Sequence, residues 1–81
     1  MPVLLRYKGN VFFFFSNEGL PREPPHVHVR HGSAVAKLWL YPSVSVAAAR
    51  GFNATELREL VRIARANRQL FIKAWEDFFD E

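Results

Sequence analysis

The sequence predicts an α+β domain: a twisted antiparallel sheet of about four strands, in two hairpins, with one long C-terminal helix packed on one face. Three observations predict it. Gly9-Asn10 separates two strand-like runs, Gly32-Ser33 separates two more, and apolar residues recur at the helical period from residue 54 onward. The 81 residues are 49% hydrophobic and include eight phenylalanines. That composition folds as a single domain, 1–81, in which 1–50 is β-rich and 51–81 supplies the helix. It lies near the size at which one core is just sufficient.

Residues 3–8 and 11–15 read as strands around a two-residue turn at Gly9-Asn10. In that register Lys8 faces Val11, Arg6 faces Phe13 and Leu4 faces Phe15. Residues 16–25, with Gly19, Pro21, Pro24 and Pro25, form a loop. Residues 26–31 and 34–40 make the second hairpin, which sets Arg30 opposite Val35, His28 opposite Lys37 and His26 opposite Trp39. Residues 44–48 are compatible with a fifth strand or one helical turn before Gly51 breaks the chain.

A helix is expected over residues 54–79. Asn53 is its N-cap, Glu56 completes a capping box, and Phe52 can staple onto Leu57. Leu57, Leu60, Val61, Ala64, Phe71, Ala74, Trp75 and Phe78 share one face, and Arg58, Arg62, Arg65 and Lys73 share the opposite one. Asn67 falls on the apolar face and must find a partner, expected to be a loop or strand-end carbonyl. Arg68, at the edge of that face, can reach the sheet rim or the acidic tail.

Net charge is +3, unevenly spread. Residues 1–75 hold eleven Lys and Arg against four acids, a net of +7, and the other four acids occupy the last six positions. A basic body favours a polyanionic partner, although a charged solubilising surface has the same composition. The absence of cysteine excludes disulfides and thiolate metal sites. The longest apolar runs, 11–15 and 44–49, are too short to cross a bilayer, and residues 1–6 do not resemble a secretory leader. These features predict a cytoplasmic protein with no membrane association.

Strand alternation then sorts the side chains. Val27, Val29, Ala36, Leu38 and Leu40 join Leu5, Tyr7, Phe12 and Phe14 on an apolar face that seats the helix. The other face collects Arg6, Lys8, Phe13, Phe15, His26, His28, Arg30, Lys37 and Trp39. Interleaved cations and aromatics suit base stacking with phosphate neutralisation. The same face also suits a protein interface, or an internal second core covered by the proline-rich loop.

His26 and His28 lie on one face, about 7 Å apart along the strand. A divalent ion normally needs three or more protein ligands, so an isolated His-x-His without cysteine or nearby strand carboxylates predicts no metal site and no cofactor. A metal-independent, ribonuclease-type use is compatible with the spacing: two imidazoles acting as general base and acid, with Lys37 or Arg30 stabilising the added negative charge. Lys37, directly opposite His28, favours that imidazole's neutral, proton-accepting form. The third possibility is that both histidines bind ligand without catalysing. His31 points to the opposite face and is left out of the site.

The chain resembles a family of small bacterial proteins, domain of unknown function 4160. The resemblance is carried by the opening Met-Pro-Val-Leu-Leu-Arg, "FFFFSNEG" (12–19), "EPPHVHV" (23–29), "AKLWL" (36–40), "RGF" (50–52) and "ANRQLFIKAWEDFF" (66–79). His26, His28, Asn67 and Trp75 match the family's pattern, whereas His31 and the Arg22 region depart from it. Members are often encoded beside another small family, domain of unknown function 2442, and the pair looks like a toxin–antitoxin module. The resemblance therefore implies a small cognate partner protein, with homo-oligomerisation also open. The expected function is a toxin–antitoxin component that interacts with RNA through the basic-aromatic face, with Arg58, Arg62 and Arg65 as further contacts. The alternative is a non-enzymatic module that docks a partner protein.

Overall fold

In a computed structural model the chain is described over residues 2–15 and 23–79. The first turn is built from Lys8 and Gly9, with φ of 50° and 83°. Two consecutive positive φ values match the twist of the flanking strands, which is the usual solution for a two-residue hairpin. Asn10 therefore belongs to the second strand. Strand β1 (Val3–Tyr7) pairs with β2 (Asn10–Phe13) so that Tyr7 faces Asn10 and Arg6 faces Val11. Relative to the Gly9-Asn10 turn, Arg6 changes partner by two positions, which preserves its face. Lys8 moves into the turn and leaves the strand. The expected loop over 16–25 lies mostly outside the described residues.

The second hairpin has the expected register. Strand β3 (His26–His31) pairs with β4 (Ala34–Trp39), setting His26 against Trp39, His28 against Lys37 and Arg30 against Val35. A fifth strand, β5 (Ser45–Arg50), then pairs with β4, so the expectation of four strands is corrected to five. The sheet is a simple antiparallel meander, β1-β2-β3-β4-β5.

One extra residue in β5 matters for the site. Leu38 faces Val46 but Lys37 faces Ala48, so Ala47 is a bulge. Regular alternation from Val46 would turn Ala48 and Arg50 toward the core side. The bulge reverses that alternation and puts both beside Lys37 and Val35.

The expected single helix is two: α1 (Ala54–Ala66) and α2 (Arg68–Phe79). Asn53 and Glu56 form the reciprocal capping box, with both hydrogen bonds at 2.8 Å. The break occurs because Asn67 competes for the helix's own backbone. Its Nδ2 donates to the Ile63 carbonyl at 2.9 Å, and its main-chain N–H donates to the same oxygen at 3.1 Å. Asn67 leaves the helical region at φ −113°, ψ 16°, and its carbonyl then accepts from Phe71 to begin α2. Its side-chain partner is thus a helix carbonyl, not a loop or strand end. Arg68 does reach the sheet rim, donating to the carbonyls of Leu40 at 2.7 Å and Pro42 at 3.0 Å. Those bonds tie the start of α2 to the end of β4. None of the described helices is long and apolar enough to cross a membrane.

Both helices cover the apolar face. Phe12, Phe14, Val27, Val29, Leu38 and Leu40 from the sheet side meet Leu60, Ile63, Ala64, Phe71 and Trp75. Burying each of the larger side chains contributes about 1.5–3 kcal/mol, so these contacts carry most of the fold's hydrophobic stabilisation. Phe78, expected on this face, is 44% exposed although its ring lies 6.4 Å from that of Phe14, and Phe79, one position on, packs against the core. Gly51 makes the turn from β5 into α1 with φ +88°, and a Cβ there would lie 3.0 Å from the Ala34 backbone. Gly51→Ala is expected to cost about 1–2 kcal/mol from the left-handed backbone alone. In urea titration the midpoint should fall while the slope is unchanged.

Candidate nucleic-acid interface

On the face away from the helices, cross-strand pairing builds two rows. The first is Arg6, Val11, Arg30, Val35, Arg50, one residue from each strand in order. Its arginines sit on alternate strands, so neighbouring guanidinium stems are about 9–10 Å apart at the backbone. None of the three has a side-chain hydrogen bond or ion pair to another described residue. The second row is Val3, Phe13, His28, Lys37, Ala48. His26, Trp39 and Phe15 lie beyond it, toward the proline end of β3.

Sequence reasoning placed Arg6, Phe13, Phe15, His28, Arg30, Lys37 and Trp39 together, and the strand pairings bring them together. Phe13 stacks on His28 with ring centroids 5.6 Å apart, Phe15 meets His28 edge-on at 4.6 Å, and Arg30 lies over Phe13 at 5.6 Å. Phe13 is only 4% exposed beneath these neighbours, so it supports the surface without offering a ring to a ligand. Phe15, at 45% exposure, together with half-buried His28 and Trp39, presents the accessible rings. Arg50 was not assigned to the face, because the Ser-Val-Ala-Ala-Ala-Arg segment has no alternation from which to read a bulge.

His26 shares the strand face but not the surface. It is fully buried, between Trp39 at 5.5 Å, Trp75 at 4.8 Å and His28 at 5.2 Å. Its Nδ1 lies 3.0 Å from the Pro24 carbonyl. Because a carbonyl only accepts, Nδ1 carries the proton. The two-proline approach thus orients this imidazole and anchors the sheet to α2. Lys37 is also committed: its ammonium is 2.9 Å from Glu23 and 4.4 Å over the Trp39 ring. Its charge is directed to that carboxylate and ring. Of the three candidate catalytic groups, His26 is enclosed and Lys37 is paired. His26→Ala is expected to cost about 2–4 kcal/mol, from the lost packing and the stranded Pro24 carbonyl. His28→Ala should change the melting midpoint much less while weakening ligand binding, and comparing melts with titrations of both variants checks the division.

The remaining predicted contacts fall elsewhere. Arg58, Arg62 and Arg65 project from α1 on the opposite side of the molecule, and Lys8 joins them. Lys8, Arg58 and Arg62 line an open cleft of about 590 Å³ with His31, Phe52 and Glu59. Arg62 grips Glu59 through two bonds of 2.8 Å, and that fork holds the Glu59 carboxyl below its ordinary range. A ligand lying flat on the sheet cannot touch this group. His31 is on the helix side as alternation places it, its Nδ1 3.2 Å from Asn10 Oδ1. Among the described residues no three His, Cys, Asp or Glu are grouped to hold a metal ion.

No curated protein matches the chain, and no solved structure does. A match to the family described as "Domain of unknown function (DUF4160)" spans residues 9–76, most of the chain from the first turn through the greater part of α2, and the protein belongs to that family.

Proposed function

We propose that the protein is the RNA-binding component of a bacterial toxin–antitoxin module and holds a single strand across its sheet. The observation that carries this reading is the Arg6–Arg30–Arg50 row, which crosses all five strands and ends on the bulge-directed Arg50. Guanidinium groups bind phosphate through paired N–H donors and remain charged at any physiological pH. Phe15, His28 and Trp39 lie beside the row, where unstacked bases can rest on their rings. The buried His26 and the Lys37–Glu23 pair favour holding RNA over cleaving it. The place in a module rests on the family, whose members resemble one half of such pairs, and the cognate partner is then a small protein.

Anisotropy titration of a labelled single-stranded RNA, in EDTA, tests the reading. Three phosphate contacts give a log–log salt slope of about −2, since each neutralised phosphate on a single strand contributes about −0.7. Absent or salt-independent binding at low salt sinks it.

A second reading is favoured by β5. All six of its residues are exposed and it is an edge strand, so it offers backbone to a strand of the partner protein. That use predicts a stoichiometric complex by size-exclusion chromatography, which saturating RNA does not displace. Growth on expression of the protein alone and with its partner assigns the toxic member.

A further inference from the structure

The open cleft of about 590 Å³ on the helix side plays no part in holding a strand across the sheet. Lys8 of the first turn and His31 of β3 line it together with Phe52, Arg58, Glu59 and Arg62. Several of these groups are already fixed. The His31 ring lies 3.2 Å from Asn10 through Nδ1 and rests against the turn, where a Cβ on Gly9 would come within 2.7 Å of its Cε1. Arg62 is locked to Glu59 by two bonds of 2.8 Å, and the Glu56 carboxylate accepts from the Asn53 N–H in the capping box. Two cations remain. Lys8 has its ammonium 5.4 Å over the Tyr7 ring, and Arg58 gives one of its N–H groups to Thr55 Oγ1 at 3.2 Å. Neither makes an ion pair with another described residue.

We infer that this cleft binds a small phosphomonoester, with Lys8 and Arg58 on its phosphate and its organic body against Phe52. The inference does not depend on RNA binding, because the cleft shares no residue with the arginine row or with Phe15, His28 and Trp39. A phosphomonoester carries about 1.5 to 2 negative charges near neutral pH and three acceptor oxygens, enough for an ammonium and a guanidinium together. A carboxylate carries one charge and leaves one of the two cations unmatched. Inorganic phosphate matches both but leaves half-buried Phe52 uncovered, and most of a cavity in the small-ligand range unfilled. The acids disfavour a long polyanion. Hydrogen bonds from Arg62, with the nearby Lys8 charge, keep Glu59 ionised, so it and Glu56 repel a run of phosphates.

Phenyl phosphate is the probe, compared with benzoate and with inorganic phosphate, each titrated into the full chain and followed by amide NMR shifts. Wild type should bind phenyl phosphate about 10-fold more tightly than either, from one further charge-assisted contact or one covered ring. The shifts should centre on Lys8, Phe52, Thr55 and Arg58 and leave His28, Arg30 and Trp39 unmoved. Lys8→Gln and Arg58→Gln should each weaken phenyl phosphate about 10-fold. Arg65→Gln removes the same charge from α1 outside the cleft and should bind as wild type. The site is overturned if the shifts centre on the sheet face, or if benzoate or inorganic phosphate binds as tightly as phenyl phosphate. It is also overturned if Arg65→Gln weakens binding as much as Arg58→Gln, since attraction to net charge then suffices. A short single-stranded RNA, with and without a 5′-phosphate, is titrated into the variant with Arg6, Arg30 and Arg50 all changed to glutamine. No gain from the 5′-phosphate is expected, and a gain overturns the assignment to a free small molecule in favour of a strand end. The wild-type comparison of the three anions decides the matter even if a variant does not fold.

Discussion

Replacing Arg6, Arg30 and Arg50 together with glutamine is expected to weaken single-stranded RNA binding about 100-fold near 0.1 M salt and hardly at all near 1 M. The magnitude follows from counterion release: three phosphates at about −0.7 each give a slope close to −2, which over a decade of salt is two decades of affinity. The three guanidiniums have no side-chain hydrogen bond or ion pair to another described residue, so their loss breaks no ion pair. The one packing contact at risk is Arg30 over the Phe13 ring, worth about 0.5–1 kcal/mol at an exposed site. The triple variant should therefore melt close to wild type while its log–log plot flattens. Arg58→Gln with Arg65→Gln, on the helix side, is the matched control and should change affinity by no more than about one phosphate contact. Equal losses in both sets would mean that the protein binds RNA by net charge alone, and the sheet face would have no special role.

The second large effect concerns stability. Trp75 is 1% exposed and joins the sheet to α2 through Phe14 at 5.2 Å, His26 at 4.8 Å and Phe79 at 4.3 Å. Trp75→Ala should cost about 3–5 kcal/mol, a large share of what a domain this small has. Yet among the described residues the indole Nε1–H is buried without a hydrogen-bond partner. A stranded donor itself costs about 1–3 kcal/mol. Trp75→Phe removes that donor together with part of the ring, and the two changes offset each other. Its expected penalty is about 1 kcal/mol or less, read as a small shift in the urea midpoint beside the collapse seen with alanine. A Trp75→Phe penalty as large as that of alanine would mean the indole N–H is satisfied in solution.

Much of this architecture was legible in the residues. Gly32-Ser33 fixed the second hairpin's register to the residue, because a two-residue turn leaves no slack between His26 and Trp39. The first hairpin was misplaced by one turn residue; Arg6, Phe13 and Phe15 kept their face, since moving a pairing partner by two positions keeps parity, but an irregularity between Val3 and Leu5 takes Leu4 off that face and packs it against the core. Lys8 and Leu4 were misassigned, the first as the residue that became the turn and the second as the residue at the irregularity in β1. The capping box at Asn53 was also visible, being a contact between residues three apart. The break at Asn67 was not: the apolar stripe runs through it, and only the fit of Asn67 to Ile63 and of Arg68 to the Leu40 and Pro42 carbonyls decides where the helix stops.

For the candidate site the boundary is similar. The sequence by itself determined which side chains share a sheet face, because alternation and turn length are local properties of the chain. Burial and partnership were decided only by tertiary structure. The same face holds His26 sealed under Trp39 and Trp75, Lys37 bound to Glu23, and Phe13 roofed by its neighbours, while His28 and the arginines reach outward. Arg50 depended on a bulge in an alanine run, where no side-chain pattern marks the extra residue and the pairing with β4 alone sets its direction. Local periodicity names the members of a face; packing against the second helix and the fifth strand determines which of them a ligand can touch.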